Sequence, residues 1–125
     1  MKIKLELTNS MAIQDMDKFC EAMYDVFTEE DHTLIAFGMF PKEKMDFIES
    51  AMKSAMIKRY TESIDMSMTE EEFLDIQRQT REGKKEIKYK EDIIFTFKPE
   101  TINSIMNRIA VSLMTVAKKR GKMVV

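Results

Sequence analysis

The start of the chain alternates apolar and polar positions. In "KIKLELT", Ile3, Leu5 and Leu7 fall on one side and the intervening Lys and Glu residues fall on the other. A period of two is typical of a strand with one buried face. We therefore expect the domain to begin with a half-buried strand.

Two further stretches predict strands. The run "TLIAFGMF" (33–40) is apolar and short, which favours a strand with Ile35, Phe37 and Met39 on one face and a bulge at Gly38. The stretch "EIKYKEDIIFTFK" (86–98) alternates on both sides of an acidic pair at 91 and 92. It predicts two strands joined as a hairpin, with one long bulged edge strand as the alternative.

Helical periods of three and four residues fill the rest of the chain. A first amphipathic helix is predicted from Met11 to Phe27, after the N-cap oxygens of Asn9 and Ser10, with the acidic turn "TEEDH" following it. A second is predicted from Pro41, as the first helical residue, to about residue 60. The last starts at 98–100 around a proline and carries its apolar stripe to residue 117.

The strongest local signal lies in "SMTEEEFLDIQRQTREGKK". Thr69 and Glu72 have the spacing of a capping box, and Gly83 stands where a helix would end. Few positions of this helix are apolar, so we expect a short polar helix from Thr69 to Glu82 near the edge of the sheet. The predicted fold is a single α+β domain over residues 1–125, in the order β-α-β-α-α-β-β-α. Its small, mainly antiparallel sheet of about four strands is packed by three amphipathic helices.

Charge is unevenly distributed along the sequence. The net charge is only −2, but residues 1–76 hold 17 acids and 8 bases, or −9, whereas residues 77–125 hold 5 acids and 12 bases, or +7. Such a chain would dock onto an opposite charge on its own twin, on another protein or on a phosphate backbone, unless the fold intermixes the two halves. The 13 methionines suit either an irregular core or an adaptable contact face.

The sequence offers little reactive chemistry. It has one Cys and one His and no glycine-rich phosphate loop, so the residues of a triad, a metal site or a nucleotide site are missing. Cys20 lies on the predicted buried stripe, and His32 lies in the acidic turn, where a solvated position is favoured over a metal or acid–base role. We expect no enzyme activity, cofactor or metal, although a site built from carboxylates alone would leave no motif. With no signal-peptide core, no apolar run of about 18 residues and no disulfide pair, a cytoplasmic protein is expected.

Function is therefore expected to reside in the surface. The interpretation we favour is a non-enzymatic intracellular adaptor or inhibitor that binds another protein through a charged, Met-rich surface and self-associates. Phages and mobile elements carry many small accessory and anti-defence proteins of this style. The alternative is a nucleic-acid-binding accessory protein that uses the basic C-terminal half, where the final cluster would otherwise only compensate the helix dipole. The predicted contact residues are Arg78, Arg81, Lys84, Lys85, Lys88 and Lys90, then Lys118, Lys119 and Arg120, then the acidic Glu29, Glu30 and Asp31.

Overall fold

A computed structural model describes residues 2–8 and 16–121 of the chain. The order of elements is β1 (Ile3–Leu7), α1 (Met16–Asp25), α2 (Glu29–Ala36), α3 (Lys42–Ser63), α4 (Glu70–Arg81), β2 (Ile87–Tyr89), β3 (Ile93–Phe97) and α5 (Pro99–Lys119). The protein is thus a mixed α+β protein, with a three-stranded sheet and five helices in the described ranges.

The sheet has the strand order β1-β3-β2. β2 and β3 form the predicted hairpin, with Ile87 opposite Phe95 and Tyr89 opposite Ile93. β1 instead pairs parallel to β3, with Leu5 opposite Phe95. The sheet is therefore mixed rather than mainly antiparallel, because four helices separate β1 from β3 and such a long connection allows a parallel return.

The strand predicted in residues 33–40 is wrong. The chain there is the helix α2, which explains why the sheet has three strands and not four. Thr28 and Asp31 form a capping box, and three acidic residues occupy the first helical turn, where the helix dipole favours them. Ile35 is buried, but Phe37 and Met39 are 59% and 57% exposed. Gly38, at φ +78°, follows the last turn of the helix in the left-handed conformation.

The other helices lie close to their predicted positions. The capping box of Thr69 and Glu72 starts α4, and Pro99 occupies the first turn of α5 after Lys98. Pro41 is the N-cap of α3 and not its first helical residue. The described part of α1 is Met16–Asp25, and the predicted caps Asn9 and Ser10 lie outside the described residues.

The core forms between the sheet and the amphipathic helices. Phe95 of the central strand meets Tyr60 of α3 edge-on and Tyr89 of β2, with ring centroids 5.9 and 6.2 Å apart. Met52 and Met56 are fully buried. Seven more methionines pack partly buried against this core (16, 23, 45, 66, 68, 106 and 114), and Met39 is the exposed one among the ten in the described ranges. Most methionines therefore serve as core filling.

α4 packs against α3 through small hydroxyl side chains. The hydroxyl of Thr80 lies 2.7 Å from that of Ser50 and 3.2 Å from that of Ser54, all of them buried. Small residues let the two helix backbones approach, and the hydrogen bonds satisfy groups that would otherwise be buried at a cost. This contact places α4 beside β2 at one edge of the sheet.

Candidate interaction surfaces

An apolar groove lies between the α1–α2 turn and the start of α3. It is lined by Val26, Phe27, Glu43, Lys44 and Phe47 and encloses about 270 Å³. Val26 is 59% exposed and Phe47 40%, although both side chains are apolar. The turn that presents Val26 is closed by backbone bonds from its own N–H to Met23 and from Phe27 to Tyr24. We refer to these five lining residues as the Phe47 groove.

Arg81 places a positive charge at one side of the Phe47 groove. The guanidinium of Arg81, at the end of α4, lies 5.9 Å from the centre of the Phe47 ring. Arg81 forms no ion pair with any residue of the described ranges. Its charge is therefore available to a partner, next to an exposed aromatic ring.

The other predicted basic residues near α4 are largely neutralised. Arg78 hydrogen-bonds Asp75, three residues before it, at 2.5 Å and Glu82, four residues after it, at 2.8 Å. These hydrogen bonds from Arg78 hold the pKa of both carboxyls below their ordinary values. Lys84 lies 3.5 Å from the same Glu82. This part of the predicted contact set is thus a mixed-charge surface.

The remaining lysines of that set line two hollows that also contain acids. Lys88 and Lys90 share a hollow of about 360 Å³ with Glu71, Glu72 and Asp75. Lys85 lines a second, of about 370 Å³, in which Lys53 is paired with Glu49 at 3.3 Å. Neither hollow presents the uninterrupted positive surface that would neutralise several phosphates.

The basic end of α5 contacts a different part of the fold. Arg120 forms an ion pair with Asp25 at the end of α1, and its guanidinium lies 5.0 Å from the Tyr24 ring. Lys118 and Lys119 are exposed in the last turn, where cations compensate the helix dipole. Arg120 and Asp25 come from opposite charge halves of the sequence, as do Lys98 and Glu6, which lie 3.5 Å apart. The fold therefore intermixes the two halves.

The acidic residues of the predicted contact set belong to the first turn of α2, not to a solvated turn. Asp31 accepts the Thr28 N–H and lies 3.8 Å from Lys44, whereas Glu30 is exposed. Glu29 lies 3.8 Å from Nδ1 of His32. Glu29 and Asp31 thus have separate partners, and the three carboxylates do not converge on one site.

His32 is buried, contrary to the solvated position expected for it. Its ring stacks on Tyr24 with 3.8 Å between centroids and 4° between planes. Its Nε2 donates a hydrogen bond of 2.7 Å to the Tyr24 carbonyl, since a carbonyl only accepts. His32 therefore fastens α2 to α1. Nowhere in residues 2–8 and 16–121 do three or more His, Cys, Asp or Glu side chains cluster as metal ligands would.

Cys20 is buried as predicted. Burial raises the pKa of its thiol to about 11, more than the hydrogen bond with Ser112 lowers it. The group is protonated near neutral pH and packs as a small apolar side chain.

Sequence reasoning missed the Phe47 groove. On α3 Phe47 lies one position before the buried Ile48, and so off the helix face that Ile48, Met52 and Met56 bury. A large aromatic side chain off the buried stripe was the available signal.

The sequence matches no protein-family model, no curated protein and no solved structure. No helix in the part of the chain that the structure describes has the length and apolarity to cross a membrane.

Proposed function

We propose that this protein is a non-enzymatic adaptor or inhibitor that acts inside the cell by binding another protein through the Phe47 groove and Arg81. The observation that carries the proposal is the exposed Phe47 ring beside a guanidinium without an ion pair. Aromatic and arginine side chains are enriched among the few residues that dominate binding energy in protein interfaces. The groove fits a partner segment that inserts one or two apolar side chains and directs a carboxylate to Arg81.

The charge layout favours a protein over a nucleic acid as the partner. Arg78 is neutralised by its own helix, and acidic side chains share the hollow that contains Lys88 and Lys90. A polyanion would meet these carboxylates together with the lysines. Nucleic-acid binding by the basic half remains the alternative hypothesis, and the same experiment tests it.

The experiment is affinity capture from the native host lysate, with and without nuclease. The variants are Phe47→Ser and Arg81→Glu, and the control is Leu74→Ser, which removes another exposed apolar side chain (56% exposed) on α4. We expect a protein that is retained after nuclease treatment, lost with both groove variants and kept with the control. Thermal melts establish that each variant is folded.

Two outcomes would contradict the proposal. If both groove variants capture the protein as well as the wild type does, the groove is not the binding surface. Loss of all captured material after nuclease treatment would instead favour the nucleic-acid hypothesis, whose signature is a steep decrease in affinity with salt.

A further inference from the structure

The two edges of the sheet differ in how their backbone groups are satisfied. At the β2 edge, the Gln79 side chain donates to the Lys88 carbonyl and accepts from the Lys88 N–H, both at 2.8 Å. This amide takes the place of a neighbouring strand, so α4 closes that edge. An edge without such a cover presents unpaired donors and acceptors to another strand.

The outer edge of β1 has no such cover within residues 2–8 and 16–121. Ile3 donates its N–H to the Asp92 carbonyl, and β1 runs parallel to β3 from there. The odd residues of β1 therefore direct their backbone groups at β3, and the even residues Lys4 and Glu6 direct theirs outward. Neither residue makes a backbone hydrogen bond on that outer side to any described residue.

From this geometry we propose that the outer edge of β1 pairs, antiparallel, with β1 of a second copy of the chain, in a register centred on Leu5. This inference is independent of the function proposed for the Phe47 groove, which lies on other elements. Pairing joins two three-stranded sheets into one continuous sheet.

Backbone parity and charge together select the register. Hydrogen-bonded antiparallel pairs exchange both bonds, so outward-facing even residues must lie opposite even residues. Centring on Lys4 or on Glu6 would place that residue opposite its own copy, with like charges in contact. Centring on Leu5 places Lys4 opposite Glu6 of the second copy and Glu6 opposite Lys4 of the second copy. This register therefore contains two attractive pairs of opposite charge.

The charged residues already present match this register. Lys4 lies 3.2 Å from Glu86, and Glu6 lies 3.5 Å from Lys98. The side chains of both ion pairs are exposed. Across the interface the order becomes Glu86, Lys4, Glu6 of the second copy and Lys98 of the second copy, with alternating sign throughout.

The apolar side of β1 also gains contacts. Ile3 is 49% exposed and Leu5 is half-buried, although both lie on the face that carries the core. In the proposed register Leu5 meets Leu5 of the second copy in a non-hydrogen-bonded pair, where side chains approach most closely. Ile3 comes to lie opposite Leu7 of the second copy and loses part of its exposure to water.

Charge reversals test both the association and its register. Lys4→Glu gives a strand with two acids, and Glu6→Lys gives a strand with two bases. Each variant alone then places like charges opposite each other at two positions. Both single variants are weakened relative to the wild type only if residue 4 lies opposite residue 6, and in that register an equimolar mixture restores two attractive pairs.

The measurement is sedimentation velocity from about 10 μM to about 1 mM, because a short edge-to-edge contact is at the weak end of interfaces. The wild-type chain is expected to dimerise, and each single variant to raise the dissociation constant by about 10- to 100-fold. The mixture should recover wild-type association. The control Lys88→Glu reverses an exposed charge on β2 and should change nothing, as should Phe47→Ser.

Hydrogen exchange of the wild-type chain locates the contact without any substitution. The amides of Lys4 and Glu6 should exchange more slowly at high protein concentration, whereas the Leu5 amide, bonded to β3, should be protected at every concentration. The proposal is overturned if the wild-type chain sediments as a monomer at the highest concentration, or if the mixture associates no better than its components. It is equally overturned if a dimer forms while the exchange of both amides is independent of concentration.

Discussion

Replacing Gln79 by alanine is expected to loosen α4 from the sheet. Gln79 is only 3% exposed, and its amide makes both hydrogen bonds to Lys88 at 2.8 Å. Its nitrogen also donates to Asp75 at 2.9 Å, which fixes the orientation of the amide. One side chain therefore connects the middle of β2 to the helix that covers it.

The cost follows from what alanine removes. Each of the two bonds to β2 contributes about 1 kcal/mol net, and the lost methylene adds about 0.8 kcal/mol of apolar burial. Lys88 is exposed, so water can hydrogen-bond to its freed N–H and carbonyl. The larger free-energy penalty of a buried polar group without any hydrogen-bond partner therefore does not apply. The expected decrease in the free energy of unfolding is about 2–3 kcal/mol. With an m value of about 2 kcal/mol per molar urea, the midpoint falls by about 1–1.5 M.

Urea unfolding followed by circular dichroism measures this change, with Gln77→Ala as the matched control. Gln77 lies on the same helix, is half-buried, and its side chain has no hydrogen bond within the described chain. Its loss should cost less than about 0.5 kcal/mol. Exchange of the Lys88 amide should accelerate in Gln79→Ala alone. Equal costs for the two variants, with unchanged Lys88 exchange, would refute the reasoning.

The remaining predictions concern three other residues. The stability that Arg78 confers should be present at pH 7 and be lost as the pH falls below about 4, because its partners Asp75 and Glu82 have lowered pKa values and lose their charge only when they protonate. An Arg78→Ala loss of stability that is equally large at pH 7 and pH 3 would contradict this. Cys20 should react with a thiol reagent at pH 8 only through transient unfolding, because its side chain is fully buried and burial also raises its pKa to about 11. Rapid reaction of the native protein would contradict this prediction. His32→Ala should lower the free energy of unfolding by about 2 kcal/mol, because the Tyr24 stack and one buried hydrogen bond are lost. Thermal unfolding measures this against the exposed control Glu30→Ala, and equal losses for the two variants would disprove the prediction.

Elements that carry a local sequence signal could be predicted. The capping box of α4, the proline of α5 and the alternation of β2 and β3 are local, and local hydrogen bonds formed as expected. α2 was missed because its apolar run is short enough to suit either a helix or a strand. The deciding signal lay upstream, where Thr28 and Asp31 cap the helix in a stretch interpreted as a turn.

The surface was less predictable, for two different reasons. The pairing of Arg78 with Asp75 and Glu82 follows from spacings of three and four on a helix, so the sequence contained that information. The ion pair of Arg120 with Asp25 joins residues 95 positions apart, and no local pattern indicates it. Gln79 likewise resembles any solvent-facing residue of a polar helix until β2 is placed beside it.

A dimer through β1 would change how the Phe47 groove binds. Two copies related by a two-fold axis present two grooves, and a partner that engages both gains effective concentration without any new contact. Lys4→Glu should then weaken capture of a symmetric partner, although Lys4 is not part of the groove. Addition of Glu6→Lys protein in equal amount should restore capture, since the mixed strands pair again. Capture that depends on Phe47 but is indifferent to Lys4→Glu would mean that each groove acts alone, and the β1 contact would then have no part in recognition.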